Sequence, residues 1–428
     1  MFNPERRYTI DAGKTTQFSE AWVILALMIT AAGLALGSAL LTAAAATMLV
    51  IAGAAWLWNR WSLRGLHYGR RFSETRAFPG EVVELALSVQ NHKPLPLTWL
   101  VVRDTFPEGL PVDEQSPSVN PATNLAAFTT FWMPGAYQRI TRRFQLRCVR
   151  RGYFRFGPAT LETGDGFGFF ESHHALPAQE RLIVYPRLYS VAELRLPTKN
   201  PFGAPRARLQ LYEDPLRTAG AREWQQSDSL RRIHWSATAR TQELFSRVYE
   251  PSEEIQVQIF LNVATLERHW QGVITELHER AISVAGSLAA YTLGQRLATG
   301  LIANGSIPGS DQELRLLPGR SANQLLHILE LLAAVTPFAS SPIEELLHRE
   351  SPRLPWGASL VVVTAIAHAE LLVTLRELAD VGRRVVLVTL AQKPPPTDHL
   401  GSVVVFHLPH LVDDLIAPYR ITPEKVAP

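Results

Sequence analysis

The sequence predicts a membrane-anchored multidomain protein with a transmembrane helical hairpin, a small antiparallel β-sandwich and a C-terminal doubly wound α/β domain. Three observations predict this fold class. Residues 21–58 carry no charged side chain, the following region alternates apolar and polar residues, and the last part alternates apolar strands with helical segments. The predicted divisions are a cytoplasmic segment (1–20), two transmembrane helices (21–61), the sandwich (66–190), a linker (191–254) and the α/β domain (255–428).

The charge-free run predicts two membrane helices, because one crossing needs only about 20 apolar residues. Gly33, Gly37 and Ser38 supply a turn between them. Basic residues lie on both flanks but not in the turn, which predicts that both ends face the cytoplasm: they are Arg6, Arg7, Lys14, Arg60, Arg64, Arg70 and Arg71. A hairpin that dips without crossing, and a buried hairpin of a soluble protein, remain alternatives.

Composition excludes several classes of protein. The chain has 428 residues, more than one ordinary domain, and a net charge of +3, which does not suggest a nucleic-acid binder. Its one cysteine, Cys148, rules out an internal disulfide framework and a cysteine-rich zinc site. We therefore expect no nucleic-acid partner and no cofactor.

The region after the anchor has the period of β-strands. Val83, Leu85, Leu87 and Val89 share one face, and residues 141–149 alternate in the same way. The second stretch belongs to the most basic run of the chain, residues 139–151. We considered two interpretations, a surface for anionic headgroups and a solvated sheet face; the membrane-surface candidates are Arg143, Arg147, Arg150 and Arg151.

Four segments carry a family resemblance: residues 150–154 (RRGYF), 165–170 (DGFGFF), 184–187 (VYPR) and, most strongly, 229–240 (SLRRIHWSATAR) followed by Glu243 and Leu244. Together they resemble a membrane-anchored bacterial family of unknown function, domain of unknown function family fifty-eight. The resemblance implies a bacterial inner-membrane location, a von Willebrand factor type A-like C-terminal domain and a MoxR-type AAA+ ATPase as partner. It implies no mechanism, since the activity of the family is not established.

The strongest segment, hereafter the motif, and the residue directly before it supply the candidate site residues Asp228, Arg231, Arg232, His234, Trp235 and Arg240. We expect a short helix over residues 231–239, capped by Asp228. The arginines and the indole suit a docking or anion-binding surface. Alternatively, Trp235 and Ile233 fill a joint between domains while the arginines form ion pairs.

The C-terminal part predicts a mainly parallel sheet, with strands at 255–263, 296–303, 360–364, 385–390 and 403–406 and helices at 276–293, 323–334 and 368–381. Type A domains that bind Mg²⁺ begin with Asp-x-Ser-x-Ser after the first strand, and the corresponding residues here are Asn262, Ala264 and Leu266. The carboxylate and both hydroxyls are replaced, so we expect no metal site.

These observations favour a non-enzymatic, membrane-tethered adaptor that presents its α/β domain to a cytoplasmic partner. One alternative is an enzyme acting on an envelope-related substrate near Asp228, Arg232 and His234. The other is an electrostatic membrane-surface binder acting through residues 139–151.

Overall fold

The computed structural model describes residues 21–107, 109–112, 118–120, 125–190, 192–196, 213–225, 232–251, 256–267, 272–308, 310–355, 357–391, 393–396, 400–408 and 411. The chain divides into two compact units, Met1–Tyr185 and Pro186–Pro428. This division lies five residues before the predicted end of the sandwich at residue 190. The reason is packing: Tyr189 donates its backbone N–H to Ser287 Oγ at 2.9 Å, and Leu194 and Leu196 lie in the core of the second unit.

The first unit begins with two apolar helices, α1 (Ala21–Ala35) and α2 (Ala39–Ser62). Gly37 has a φ of 62° in the turn that joins them, and a Cβ on Gly33 would lie 2.9 Å from the backbone nitrogen of Thr42. Among the described residues, α2 is the helix that is long and apolar enough to cross a bilayer. Its 24 residues span about 36 Å, whereas the 15 residues of α1 span about 22 Å.

Eleven strands follow in the described part of this unit: β1 (Leu66–Phe72), β2 (Arg76–Ala77), β3 (Val82–Asn91), β4 (Leu100–Pro107), β5 (Ser118–Asn120), β6 (Leu125–Trp132), β7 (Arg139–Arg147), β8 (Gly152–Phe156), β9 (Ala159–Gly164), β10 (Glu171–Leu176) and β11 (Glu180–Val184). They form sheets of order β1-β3-β7, β10-β9-β4-β6-β5 and β2-β11-β8, antiparallel except for the β2–β11 pair. Alternate residues of the facing strands fill one core, which includes Leu85, Leu146 and Cys148 on one side and Leu100, Val102 and Leu161 on the other.

The second unit contains a β-ribbon where a linker was predicted. Strands β12 (Glu213–Glu223) and β13 (Phe245–Pro251) pair antiparallel, and the short helix α3 (Trp235–Thr241) lies between them in the chain. The polar sequence of β12 does not alternate, so its strand character comes from pairing with β13.

The remainder is an α/β sheet whose elements are β14 (Gln256–Leu261), α4 (Thr275–Gly294), β15 (Ala298–Ile307), β16 (Ser310–Gly319), α5 (Gln324–Ala334), α6 (Ile343–Glu350), a 3₁₀ turn (Ser351–Arg353), β17 (Ser359–Thr364), α7 (Ala369–Asp380), β18 (Arg384–Thr389) and β19 (Val404–His407). The strand order is β16-β15-β14-β17-β18-β19, and β16 is antiparallel to β15 while the other pairs are parallel.

Both faces of this sheet are covered. Residues of β14 with odd numbers, such as Ile259, pack against α4 and α5, whereas Phe260 packs against α6 and α7. A doubly wound sheet has a point where the strand order reverses, and ligands bind there at the carboxyl ends of the strands. Here that point lies between β14 and β17.

Candidate functional site

The motif forms a helix start whose cap is His234. Its Nδ1 accepts the backbone N–H of Ala237 at 3.2 Å and lies 3.0 Å from Ser236 Oγ. An accepting Nδ1 places the proton of the neutral ring on Nε2. Among the described residues, α3 begins at Trp235 and not earlier in the predicted range 231–239, with the His234 side chain accepting an N–H of its first turn. The predicted cap, Asp228, lies outside the described residues.

The motif is fixed to the ribbon by its backbone. His234 donates its N–H to the carbonyl of Phe245 at 2.7 Å, and Phe245 donates its own to Thr238 Oγ1 at 3.1 Å. Ile233 is buried and forms an isolated bridge with Ser246. The local fold therefore holds α3 against β13 and fixes the positions of its side chains.

The candidate side chains differ in exposure. Trp235 is 66% exposed, Arg240 is exposed and Arg232 is half-buried. Asp228 and Arg231 lie outside the described residues. An exposed indole can stack on a partner, and guanidinium groups can donate hydrogen bonds to carboxylate or phosphate. General-base catalysis by His234 through Nδ1 would have to break the cap of α3.

The arginines of β7 form a row on the solvent side of the β1-β3-β7 sheet. Arg139, Arg143 and Arg147 are exposed, while Leu146 on the opposite face is fully buried. Arg143 Nε lies 3.6 Å from Glu84 Oε1 in an exposed pair. Arg142 has the other parity and lies over the ring of Trp132, with Cζ 4.4 Å from its centroid.

The last two candidates of this run follow the strand. Arg150 is exposed and Arg151 is half-buried. The membrane-surface role of Arg143, Arg147, Arg150 and Arg151 stays a prediction.

The reversal point of the α/β sheet is closed by a network of amides and one hydroxyl. Asn262, directly after β14, donates from Nδ2 to Thr364 Oγ1 at 3.1 Å, and its Oδ1 accepts from Asn304 Nδ2 at 3.0 Å. Asn304 Oδ1 in turn accepts the N–H of Val263 at 2.8 Å. All three side chains are buried. Their hydrogen bonds to one another satisfy their polar groups and hold the strand ends rigid.

Asn262 is the residue that the sequence comparison aligns with the Asp of Asp-x-Ser-x-Ser in type A domains that bind Mg²⁺. The oxygen of Asn262 is already used by the N–H of Ala264 at 3.1 Å as well as by Asn304. No group of three or more His, Cys, Asp or Glu side chains that could hold a metal occurs within the described ranges. The prediction that no metal binds still needs a measurement.

Sequence reasoning missed an ion pair near the same edge. His368, which precedes α7, has Nε2 2.7 Å from Glu344 Oε1 in the first turn of α6. The hydrogen bond to Glu344 raises the pKa of His368. Burial is the largest single influence on Glu344 and would raise its pKa, but the hydrogen bond with His368, a backbone hydrogen bond and the charges of His368 and His348 together hold the pKa below its usual value. The two residues are 24 positions apart, so no local pattern could have paired them.

Comparison with known families matches the part of the chain that carries the motif and the sheet. Residues 220–395 match the family described as protein of unknown function DUF58. This segment includes α3, the network and β14 to β18. The chain is also similar to the uncharacterized protein YeaD of Bacillus subtilis (strain 168), with 23% identity over 335 residues, which are 77% of each chain.

Solved structures give only weak likenesses. The CARDB domain of a Pyrococcus furiosus protein has 11% identity and a TM-score of 0.19, covering 28% of this chain and 86% of its own. The DNA glycosylase AlkC of Pseudomonas fluorescens has 15% identity and a TM-score of 0.18, covering 34% of this chain and 38% of its own. Spo0M of Bacillus subtilis has 12% identity and a TM-score of 0.17, covering 28% and 50%. Scores this low carry no argument.

Proposed function

We propose that the protein is a non-enzymatic, membrane-tethered adaptor that presents a type A-like α/β domain to a cytoplasmic partner. The closed amide network of Asn262, Asn304 and Thr364 carries this proposal. The network lies at the edge where a doubly wound sheet usually binds its ligand. Its polar groups are already hydrogen-bonded to one another, so this edge is rigid. A surface of this kind suits protein recognition through strand-end loops rather than chemistry on a small substrate.

The tether is formed by α1 and α2, embedded from the cytoplasmic side of a bacterial inner membrane, with basic residues flanking the pair. The continuity of α2 with the β domain supports this arrangement. Lys93 Nζ donates to the carbonyls of Ser62 and Arg64, and Ser172 Oγ donates to Asn59 Oδ1 at 3.0 Å. Cationic groups are favourable at a helix C-terminus, where the carbonyls have no intrahelical partner.

The partner-binding surface is centred on the exposed Trp235, with Arg232 and Arg240. Exposed Trp and Arg residues contribute most of the binding energy in many interfaces. A MoxR-type AAA+ ATPase is the partner that the family resemblance suggests and the one to be tested first.

Affinity capture tests the proposal. Full-length protein is purified from its native membrane in mild detergent and compared with an Arg232→Ala/Trp235→Ala variant and with a matched control, Phe338→Ala/Arg376→Ala. The control removes an exposed aromatic residue and an exposed arginine elsewhere in the same unit. We expect an AAA+ ATPase with the wild type and the control but not with the motif variant. Absence of an ATPase from every sample would refute this partner, and equal capture by the motif variant would refute the surface.

A further inference from the structure

We infer that the end of the β domain nearest α2 rests on the bilayer, with Met133, Tyr137 and Phe167 in the interfacial region. This inference rests on the proposed tether, but the tether does not require it. A domain on a membrane helix can equally be held away from the lipid.

Strand register brings three loops to one end of the domain. At the start of β1, Leu66 lies opposite Asn91, the last residue of β3. At the start of β4, Leu100 lies opposite Trp132 of β6 and Thr163 of β9. The loops after these strand ends are residues 92–99, 133–138 and 165–170, and together they form what we call the proximal face.

Hydrogen bonds join the three loops into one surface. Asn91 Nδ2 donates to the carbonyl of Gly135 at 2.9 Å, and the N–H of Leu97 donates to that of Pro134 at 3.0 Å. Thr98 Oγ1 donates to the carbonyl of Gly164 at 2.9 Å. These hydrogen bonds fix the three loops of the proximal face relative to one another.

The same face contacts the end of α2. His92 donates its N–H to the carbonyl of Gly65 at 2.8 Å, and Lys93 reaches the carbonyls of Ser62 and Arg64. On the other side, Ser172 bonds Asn59, one turn before the end of α2. The third loop ends two residues before Ser172, so extended chain can carry its tip no more than about 20 Å from Asn59.

The loop tips are apolar and exposed. The exposed fraction is 59% for Met133, 69% for Tyr137 and 67% for Phe167. Phe167 stacks on Phe169 with ring centroids 6.0 Å apart, so the two rings form one projecting group. Aromatic residues favour the headgroup level of a membrane, where α2 also places Trp56 and Trp61.

Charge agrees with contact to an anionic leaflet. The three loops contain one carboxylate, Asp165, which is 2% exposed and accepts the N–H of Phe170 at 3.0 Å. The proximal face thus exposes no carboxylate in its loops that headgroup phosphates would repel.

The test measures depth at single labelled positions in the full-length protein, reconstituted into nanodiscs. The variants Tyr137→Cys and Phe167→Cys report the proximal face, and Met48→Cys reports α2. Val82→Cys is the matched control, because Val82 is exposed at the far end of β3, about 30 Å from Asn91. Native Cys148 is fully buried and its thiol pKa is raised to about 11 by burial, so it does not take the label.

Each variant carries a fluorescent label, and the lipids carry a nitroxide quencher on the headgroup or deep in the acyl chain. We expect the headgroup quencher to abolish most emission at positions 137 and 167 and to leave position 82 bright, while the deep quencher acts at position 48. Bright labels at 137 and 167 with a quenched label at 48 would overturn the inference and leave the tether intact. A bright label at 48 would overturn both.

Discussion

Lys93 donates from its side-chain nitrogen to the backbone carbonyl of Ser62, the last residue of α2. The two residues are joined although 30 residues of chain separate them, and the bond caps a long apolar helix with a side chain of the β domain. Burial lowers the pKa of Lys93 to about 8.

A first prediction concerns the pH dependence of stability. A lysine has a pKa of about 10.4 in the unfolded chain, so between about pH 8 and 10.4 the unfolded state binds more protons than the folded state. The free energy of unfolding should therefore rise with pH in this window because of Lys93. The thermal midpoint of wild type minus that of Lys93→Met should grow from pH 8 to pH 10. The exposed Lys393, replaced in Lys393→Met, should give a constant difference; a constant difference for Lys93→Met too would contradict the prediction.

A second prediction concerns the buried ion pair of Arg70. Its Nε lies 3.0 Å from Asp104 Oδ2 and its Nη1 lies 3.0 Å from Glu180 Oε2. Burial raises the pKa of Asp104 despite the nearby guanidinium. Arg70→Met leaves Asp104 buried with the Tyr68 hydroxyl at 2.7 Å but without its cation, and should cost about 3–5 kcal/mol in chemical denaturation of the β domain.

The neighbouring Arg103 provides the control for this experiment. It pairs with Glu162 at 3.0 Å, but its side chain is largely exposed. Arg103→Met should cost only about 0–1 kcal/mol. If the two variants lost the same free energy of unfolding, burial of the Arg70 pair would not increase its contribution to stability.

A third prediction concerns the cap of α3. His234→Ala removes the ring nitrogen that accepts the N–H of Ala237 and leaves this N–H the His234 carbonyl at 3.0 Å. The loss of the side-chain cap should cost about 1 kcal/mol and speed hydrogen exchange of that amide roughly fivefold. His234→Ser keeps a capping oxygen and should restore most of the protection. If the amount of captured partner falls in the variant whose amide exchanges faster and recovers in His234→Ser, His234 has a structural role. If both variants lose the ability to turn over a substrate, the enzyme alternative is favoured.

A fourth prediction concerns the His368–Glu344 pair. Because the pKa of His368 is raised and that of Glu344 lowered, the pair stabilises the fold fully between about pH 4.5 and 6.5. The contribution is lost as the pH rises through the raised pKa of His368, and again as it falls through the lowered pKa of Glu344. The midpoint difference between wild type and His368→Gln should thus be largest near pH 5.5 and smaller at pH 8.5. His327→Gln, at an exposed position on α5, should show no such dependence.

A fifth prediction concerns divalent cations. Asn262 offers an amide where a Mg²⁺ site needs a carboxylate, and its oxygen already accepts two hydrogen bonds. Calorimetric titration of the wild type with Mg²⁺ should give no saturable heat. An Asn262→Asp/Ala264→Ser/Leu266→Ser variant, with Thr364 as a further hydroxyl, should gain binding. Saturable binding by the wild type would refute the predicted absence of a metal site.

The regular part of the fold could be read from the sequence because its periodicity is local. The predicted helix at 276–293 is found as α4 (Thr275–Gly294), and the strand expected at 360–364 is found as β17 (Ser359–Thr364). In the alternating stretch 141–149, where Phe144, Leu146 and Cys148 are expected to point inward, Leu146 and Cys148 are fully buried and Phe144 is half-buried. In each case one face of the element is buried, so apolar residues recur at the spacing of the helix or strand.

The site could be predicted only in part, because its contacts join distant positions. The motif was found by its residues, but its helix start was not, since the deciding bond is the one from Ala237 to a histidine ring. Asn304 lies 42 residues beyond Asn262, and sheet order alone brings them together. The ribbon of β12 and β13 was missed because β12 has no alternation and depends on its partner strand.

Only three residues, Leu63, Arg64 and Gly65, separate α2 from β1, and Lys93 bonds the carbonyls on both sides of Leu63. Such a connection transmits rotation instead of absorbing it. Helices tilt to match the thickness of the bilayer they occupy. In the proposed tether, a change in the tilt of α2 would therefore turn the β domain by the same angle.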